Sequence, residues 1–85
     1  MNSIFVSATY KQNYVIEFIL NTGNVLLFDF GPWLSANHNP MNTQFLNIEL
    51  FKHFTLDKHG AIIWQGPEGE MDFDFEHLPF KNLTL

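Results

Sequence analysis

Between Tyr14 and Phe30 the chain reads YVIEFILNTGNVLLFDF, two apolar runs of strand length separated by Asn21-Thr22-Gly23-Asn24. Apolar side chains at every second position, with Gly and Asn in the gap, are the pattern of an antiparallel hairpin. Side chains alternate across a strand, so Tyr14, Ile16, Phe18 and Leu20 share one face while Val15, Glu17 and Ile19 take the other. In the second run Leu26, Phe28 and Phe30 oppose Val25, Leu27 and Asp29. A two-residue loop would pair Phe18 with Leu27 and mix the faces. A three-residue loop, Thr22-Gly23-Asn24, pairs Leu20 with Leu26, Phe18 with Phe28 and Ile16 with Phe30, which keeps them apart. This register assigns the positive φ of the last loop position to Asn24. It also sets Glu17 opposite Asp29, a like-charge pair that costs stability.

The flanking segments extend the pattern. Ile4, Val6, Ala8 and Tyr10 alternate with Phe5, Ser7 and Thr9, and Lys11-Gln12-Asn13 forms a second three-residue loop. Tyr10 then faces Tyr14, Ala8 faces Ile16 and Val6 faces Phe18, giving a three-stranded meander with one strongly apolar face. Gly31-Pro32 stops the third strand, and Trp33-Leu34 folds back as an apolar lid. Asn39-Pro40 supplies a capping side chain followed by proline at the first helical position, so a short helix is expected over 40–46. Asn47 caps a further turn over 48–51. Lys52 to Asp57 alternates again, and Lys58-His59-Gly60 is a third loop of three residues, with glycine where positive φ is required. It pairs Asp57 with Ala61, Leu56 with Ile62 and Phe54 with Trp64. Glu70 to Phe75 reads as a short strand with Met71, Phe73 and Phe75 inward, and Leu78-Pro79-Phe80 as a docked tail. The fold class is therefore α+β, a single domain over 1–85 of antiparallel β-meander and hairpins, with one short helix between the third and fourth strands.

Composition narrows the function. The 85 residues include ten Phe and no Cys, which leaves no thiolate metal site and no disulfide framework, as in a protein of the reducing cytoplasm. The N-terminus lacks the basic and apolar regions of a signal peptide, and no apolar stretch approaches the roughly 20 residues of a membrane-spanning helix. Nine acids against four Lys and no Arg give a net charge of −5. Nucleic acids and anionic membrane surfaces are bound through Lys and Arg, so neither is an expected partner; a basic protein is.

The succession YVIEFILNTGNVLLFDFGPWL, a short helix, LFKHFTLDKHGAIIW and MDFDFEHLPF resembles the small bacterial domain family of unknown function catalogued as DUF-2442. The matching positions are Phe18, Gly23, Asp29, Leu34, Leu46, Phe51, Gly60, Ile62, Trp64, Asp72, Asp74 and Leu78, and they span nearly the whole chain. The resemblance implies a small α+β fold with one short helix and no known catalytic activity. Some relatives precede a DNA-binding helix-turn-helix. Others are encoded beside a small partner protein, in an arrangement like a toxin–antitoxin pair. In this sequence 36–39 reads as a longer loop and no helix-turn-helix follows, so direct DNA binding does not carry over.

Candidate chemistry is sparse. Glu70, Asp72, Asp74 and Glu76 would project from one strand face and could attract a hard cation, but carboxylates on a flat strand do not converge, and charges on an edge strand commonly block edge-to-edge pairing. His38, His53, His59 and His77 share no ligand spacing, so no metal and no cofactor are expected. His77 beside Glu76 has no nucleophile near it, and an enzyme is not expected. Tyr14, Trp33 and Trp64 could line a small-ligand pocket, against the commoner use of such side chains in the core. Phe5, Ile19 and Leu27 would line up on the face of the meander that a single short helix does not cover. Two readings follow. The chain is an interaction module, antitoxin-like or accessory in a two-protein system, binding a second copy or a small basic protein through Phe5, Ile19 and Leu27. Alternatively it binds a small ligand in an aromatic pocket.

Overall fold

The computed structural model describes residues 3–78 of the chain. Two antiparallel three-stranded sheets, in the orders β1-β2-β3 and β4-β5-β6, follow one another in sequence. The first comprises β1 (Phe5–Gln12), β2 (Val15–Leu20) and β3 (Val25–Asp29). Three short helices come next: α1 (Gly31–Ala36), α2 (Pro40–Thr43), which runs on as a 3-10 turn over Gln44–Leu46, and α3 (Ile48–Phe51). The second sheet is β4 (Thr55–Leu56), β5 (Ile62–Gly66) and β6 (Gly69–Phe73), closed by a 3-10 turn over Phe75–His77. The α+β class is as expected. Trp33 and Leu34 form part of α1 instead of a lid, and Leu34 is fully buried. Met1, Asn2 and the expected docking of Pro79-Phe80 lie outside the described residues.

Helix ends follow their caps. The Asn39 Oδ1 accepts from the Met41 N–H and the Asn47 Oδ1 from the Glu49 N–H, both at 3.0 Å, so each asparagine satisfies a donor that its helix leaves unpaired.

The β2–β3 hairpin keeps the expected faces but not the expected register. Ile16 pairs with Phe28, Glu17 with Leu27 and Phe18 with Leu26, two residues away from the pairing of Phe18 with Phe28. The loop is Asn21-Thr22-Gly23, closed by a bond from the Leu20 N–H to the Asn24 carbonyl at 2.9 Å. Gly23, at φ +93°, takes the left-handed position assigned to Asn24, because only glycine enters it without a Cβ penalty. The shift also separates Glu17 from Asp29, which now faces Val15.

The β1–β2 connection departs further. Its loop is two residues, Asn13-Tyr14, with φ of 51° and 69°, the doubly left-handed form that suits a two-residue hairpin. Register shifts at Lys11 and Val6 mark bulges, and Tyr10 pairs with Ile16 and Ala8 with Phe18. Beyond the second bulge the strand turns over. Phe5 enters the core at 1 % exposure and Val6 is left 53 % exposed. The reason is payload: Phe5 stacks on Phe18 at 4.1 Å between ring centroids and meets Phe28 and Phe75 edge-on, area that Val6 in its place could not bury.

In the second sheet the expected register holds. Asp57 bonds to Ala61 across the loop, Leu56 pairs with Ile62, and Gly60 has φ +85°. The Asp57 carboxylate accepts from the backbone N–H of Ala61 at 2.9 Å and of His59 at 2.8 Å. Its pKa lies below the ordinary carboxylate value, chiefly through the Ala61 bond. Gly66-Pro67-Glu68-Gly69 turns β5 into β6. Gln44 ties that turn to the helices, its Oε1 accepting from the Glu68 N–H at 3.0 Å and its Nε2 donating to the Gly69 carbonyl at 3.1 Å.

One aromatic cluster joins the sheets. Trp64, fully buried, lies 5.2 Å from Phe30 and 5.4 Å from Phe51, and its Nε1 donates to the Phe51 carbonyl at 2.6 Å.

Candidate functional site

The three aromatic residues of the ligand-pocket reading are engaged in packing against other rings. Tyr14 and Trp64 both pack against Phe51, while Trp33 and Trp64 both pack against Phe73, so protein rings fill the space around the indole. With 0 % exposure and its N–H satisfied, Trp64 has no surface or donor to offer a ligand. Tyr14 is held by its hydroxyl, which donates to the Leu46 carbonyl. Core packing therefore takes the residues assigned to the pocket.

The acidic stretch is also arranged otherwise than on one strand face. Glu70 and Asp72 are exposed on β6, and the strand ends at Phe73. Asp74 lies beyond it and pairs with His77, Oδ1 to Nδ1 at 2.7 Å, so the partner of His77 is Asp74 and not Glu76. Asp72, Phe73, Asp74, His77 and Ala61 border a shallow depression of about 260 Å³. Among the described residues no three His, Asp or Glu side chains are grouped so as to hold a metal ion.

The outer face of the first sheet is the remaining candidate, and its membership changes. Phe5 leaves it, because the bulge at Val6 turns the ring into the core. Ile19 and Leu27 stay, half-buried, but Phe5 no longer continues their row. In its place Val25 pairs directly with Ile19 and is 43 % exposed, and Val15 lies further along β2. Parity had already put Val15 and Val25 on this face; only the observed register makes Val25 and Ile19 neighbours. Glu17 stands opposite Leu27. Asp29 is turned toward the chain itself, its Oδ1 accepting from the Gly31 N–H at 2.9 Å. The helices make their main contacts with the second sheet and with one another, not with this face. The surface is thus an aliphatic strip of Val15, Ile19, Val25 and Leu27 with one central carboxylate, a composition suited to contact with another protein.

No helix of the described residues is long and apolar enough to cross a membrane. Comparison of the chain with protein-family models, with curated proteins and with solved structures gives no match.

Proposed function

We propose that the chain is a non-enzymatic protein-interaction module of the cytoplasm, acting as the antitoxin-like or accessory member of a small bacterial two-protein system. The observation that carries this reading is the strip of Val15, Ile19, Val25 and Leu27 on a sheet face away from the main contacts of the described helices. Aliphatic side chains so placed lose unfavourable hydration when a second surface meets them, about 25 cal/mol for each Å² buried. The net charge of −5 without Arg favours a basic protein over nucleic acid or a membrane surface. The resemblance to DUF-2442, some of whose members are encoded beside a small partner, supports the same assignment.

The test is co-purification of the full chain from its native cells, wild type beside Leu27→Lys. Lysine at this position faces Glu17, so the sheet keeps a favourable cross-strand pair while the strip loses its centre. A stoichiometric protein retained by the wild type and released by the variant is the expected result. Equal protein content in both samples, with a small molecule retained in native mass spectra, overturns the reading.

A further inference from the structure

Four sheet edges are available among the described strands, and three are guarded against pairing. Strand β1 is broken by bulges at Val6 and Lys11 and carries that lysine. Strand β4 is two residues long. Strand β6 exposes Glu70 and Asp72. Bulges, short strands and edge charges are the devices that keep sheets from joining.

Strand β3 has none of them. Its five residues, VLLFD, pair with β2 without a register shift and include no Lys and no Pro. The single charge, Asp29, comes last and is engaged with the Gly31 N–H. Bonds at 2.9 Å from the Leu20 N–H to the Asn24 carbonyl and from the Phe30 N–H to the Tyr14 carbonyl bracket the ladder, so even-numbered residues of β3 turn their peptide groups toward β2. Val25, Leu27 and Asp29 turn theirs outward, and among the described residues no strand pairs with that side.

We propose that β3 pairs antiparallel with β3 of a second copy, across a two-fold axis at Leu27, to form one continuous six-stranded sheet from two three-stranded ones. This rests on the interaction-module reading and adds a second copy of the chain as a further partner, at the edge of the same sheet. The register follows from the pattern. Centring on Leu27 is the one alignment that engages the outward peptide groups of Val25, Leu27 and Asp29 on both copies. It sets Val25 against the partner's Asp29, Leu26 against the partner's Phe28, and Leu27 against the partner's Leu27, with no like charges opposed. Centring on Asp29 would oppose two carboxylates. Packing the outer faces together would bury the Glu17 carboxylate of both copies, and taking a charge out of water costs stability. Pairing by the edge leaves Glu17 in water and brings the two aliphatic strips side by side.

Sedimentation of the pure full chain, from low micromolar to several hundred micromolar, is the first measurement. Wild type is expected to pass from monomer to dimer in the micromolar range. Val25→Pro removes an outward N–H at the first residue of the strand, where proline is tolerated, and is expected to stay monomeric with an unchanged circular dichroism spectrum. Leu27→Cys tests the register independently. Opposed residues of a hydrogen-bonded pair stand about 5.5 Å apart at Cα, within disulfide reach, so mild oxidation is expected to cross-link this variant and not Thr9→Cys on the bulged edge. A wild type that stays monomeric throughout, or cross-links through Thr9→Cys instead, overturns the proposal. If the Leu27, Val25 and Asp29 amides exchange slowly in that monomer, the chain covers its own edge and the second copy is again refuted. Such a failure, alongside a native partner still released by Leu27→Lys, would leave the interaction-module reading standing; loss of both would remove it.

Discussion

Gly23 and Gly60 hold the last place in two hairpin loops of the same length, and both are left-handed, at φ +93° and +85°. They differ in what surrounds them. A Cβ at Gly23 meets nothing within 4 Å, whereas one at Gly60 would stand 2.7 Å from the Ile4 Cβ and 3.1 Å from the Phe5 carbonyl oxygen. Gly23→Ala should therefore cost only the left-handed penalty, about 1–2 kcal/mol. Gly60→Ala carries that penalty and must also push the start of β1 away, an overpacking cost of about 1–3 kcal/mol. Together these come to about 2–5 kcal/mol, a large share of the roughly 4–13 kcal/mol expected for a domain of this size. Urea unfolding followed by the fluorescence of Trp33 and Trp64 measures both variants. With a slope near 1 kcal/mol per molar urea, the midpoint of Gly60→Ala should fall below that of Gly23→Ala by about 1–3 M. Equal midpoints for the two variants would refute the close approach of the β4–β5 loop to β1.

Two further outcomes follow from side-chain chemistry. Trp64→Phe strips the donor from the Phe51 carbonyl and leaves a void beside Phe30, so it should destabilise by about 2–4 kcal/mol in the same assay; a loss within about 0.5 kcal/mol would mean the indole is not a core group. Asp57→Ala should lower the melting temperature at neutral pH and converge with wild type in acid. The sign is that of a depressed carboxyl: its stabilisation is present above the unfolded value near 3.9 and is lost as pH falls through the folded value. A difference between the two proteins that persists unchanged at pH about 2 would contradict this.

Much of the architecture is legible in short stretches of sequence. Asn39-Pro40 and Asn47 mark helix starts because a cap acts on donors two residues away, and both caps form. Lys58-His59-Gly60 sets the register of β4 and β5 because Gly60 is the one residue of that loop that takes positive φ freely. Faces of β2 and β3 also follow from parity alone. The candidate site was legible only in part: Ile19, Leu27 and Val25 lie on the face where alternation puts them, whereas Phe5 does not, and only the observed register makes Val25 the neighbour of Ile19.

What local pattern leaves open are choices that conserve it. Sliding β3 by two residues returns every side chain to the same face, so alternation cannot distinguish the pairing of Phe18 with Phe28 from that with Leu26. The left-handed Gly23 and the separation of Glu17 from Asp29 decide it. The bulge at Val6 is decided further away still. Its reward is the contact of Phe5 with Phe18, Phe28 and Phe75, the last of which arrives 70 residues later in the chain. Trp64 likewise could be a pocket wall or a core residue as far as its own strand is concerned, and becomes core because Phe30, Phe51 and Phe73 close around it. Periodicity and caps are properties of a few consecutive residues and survive without the rest of the fold. Register between equivalent slips, and the choice of which aromatic ring is buried, are settled by contacts between segments that meet only once the chain has folded.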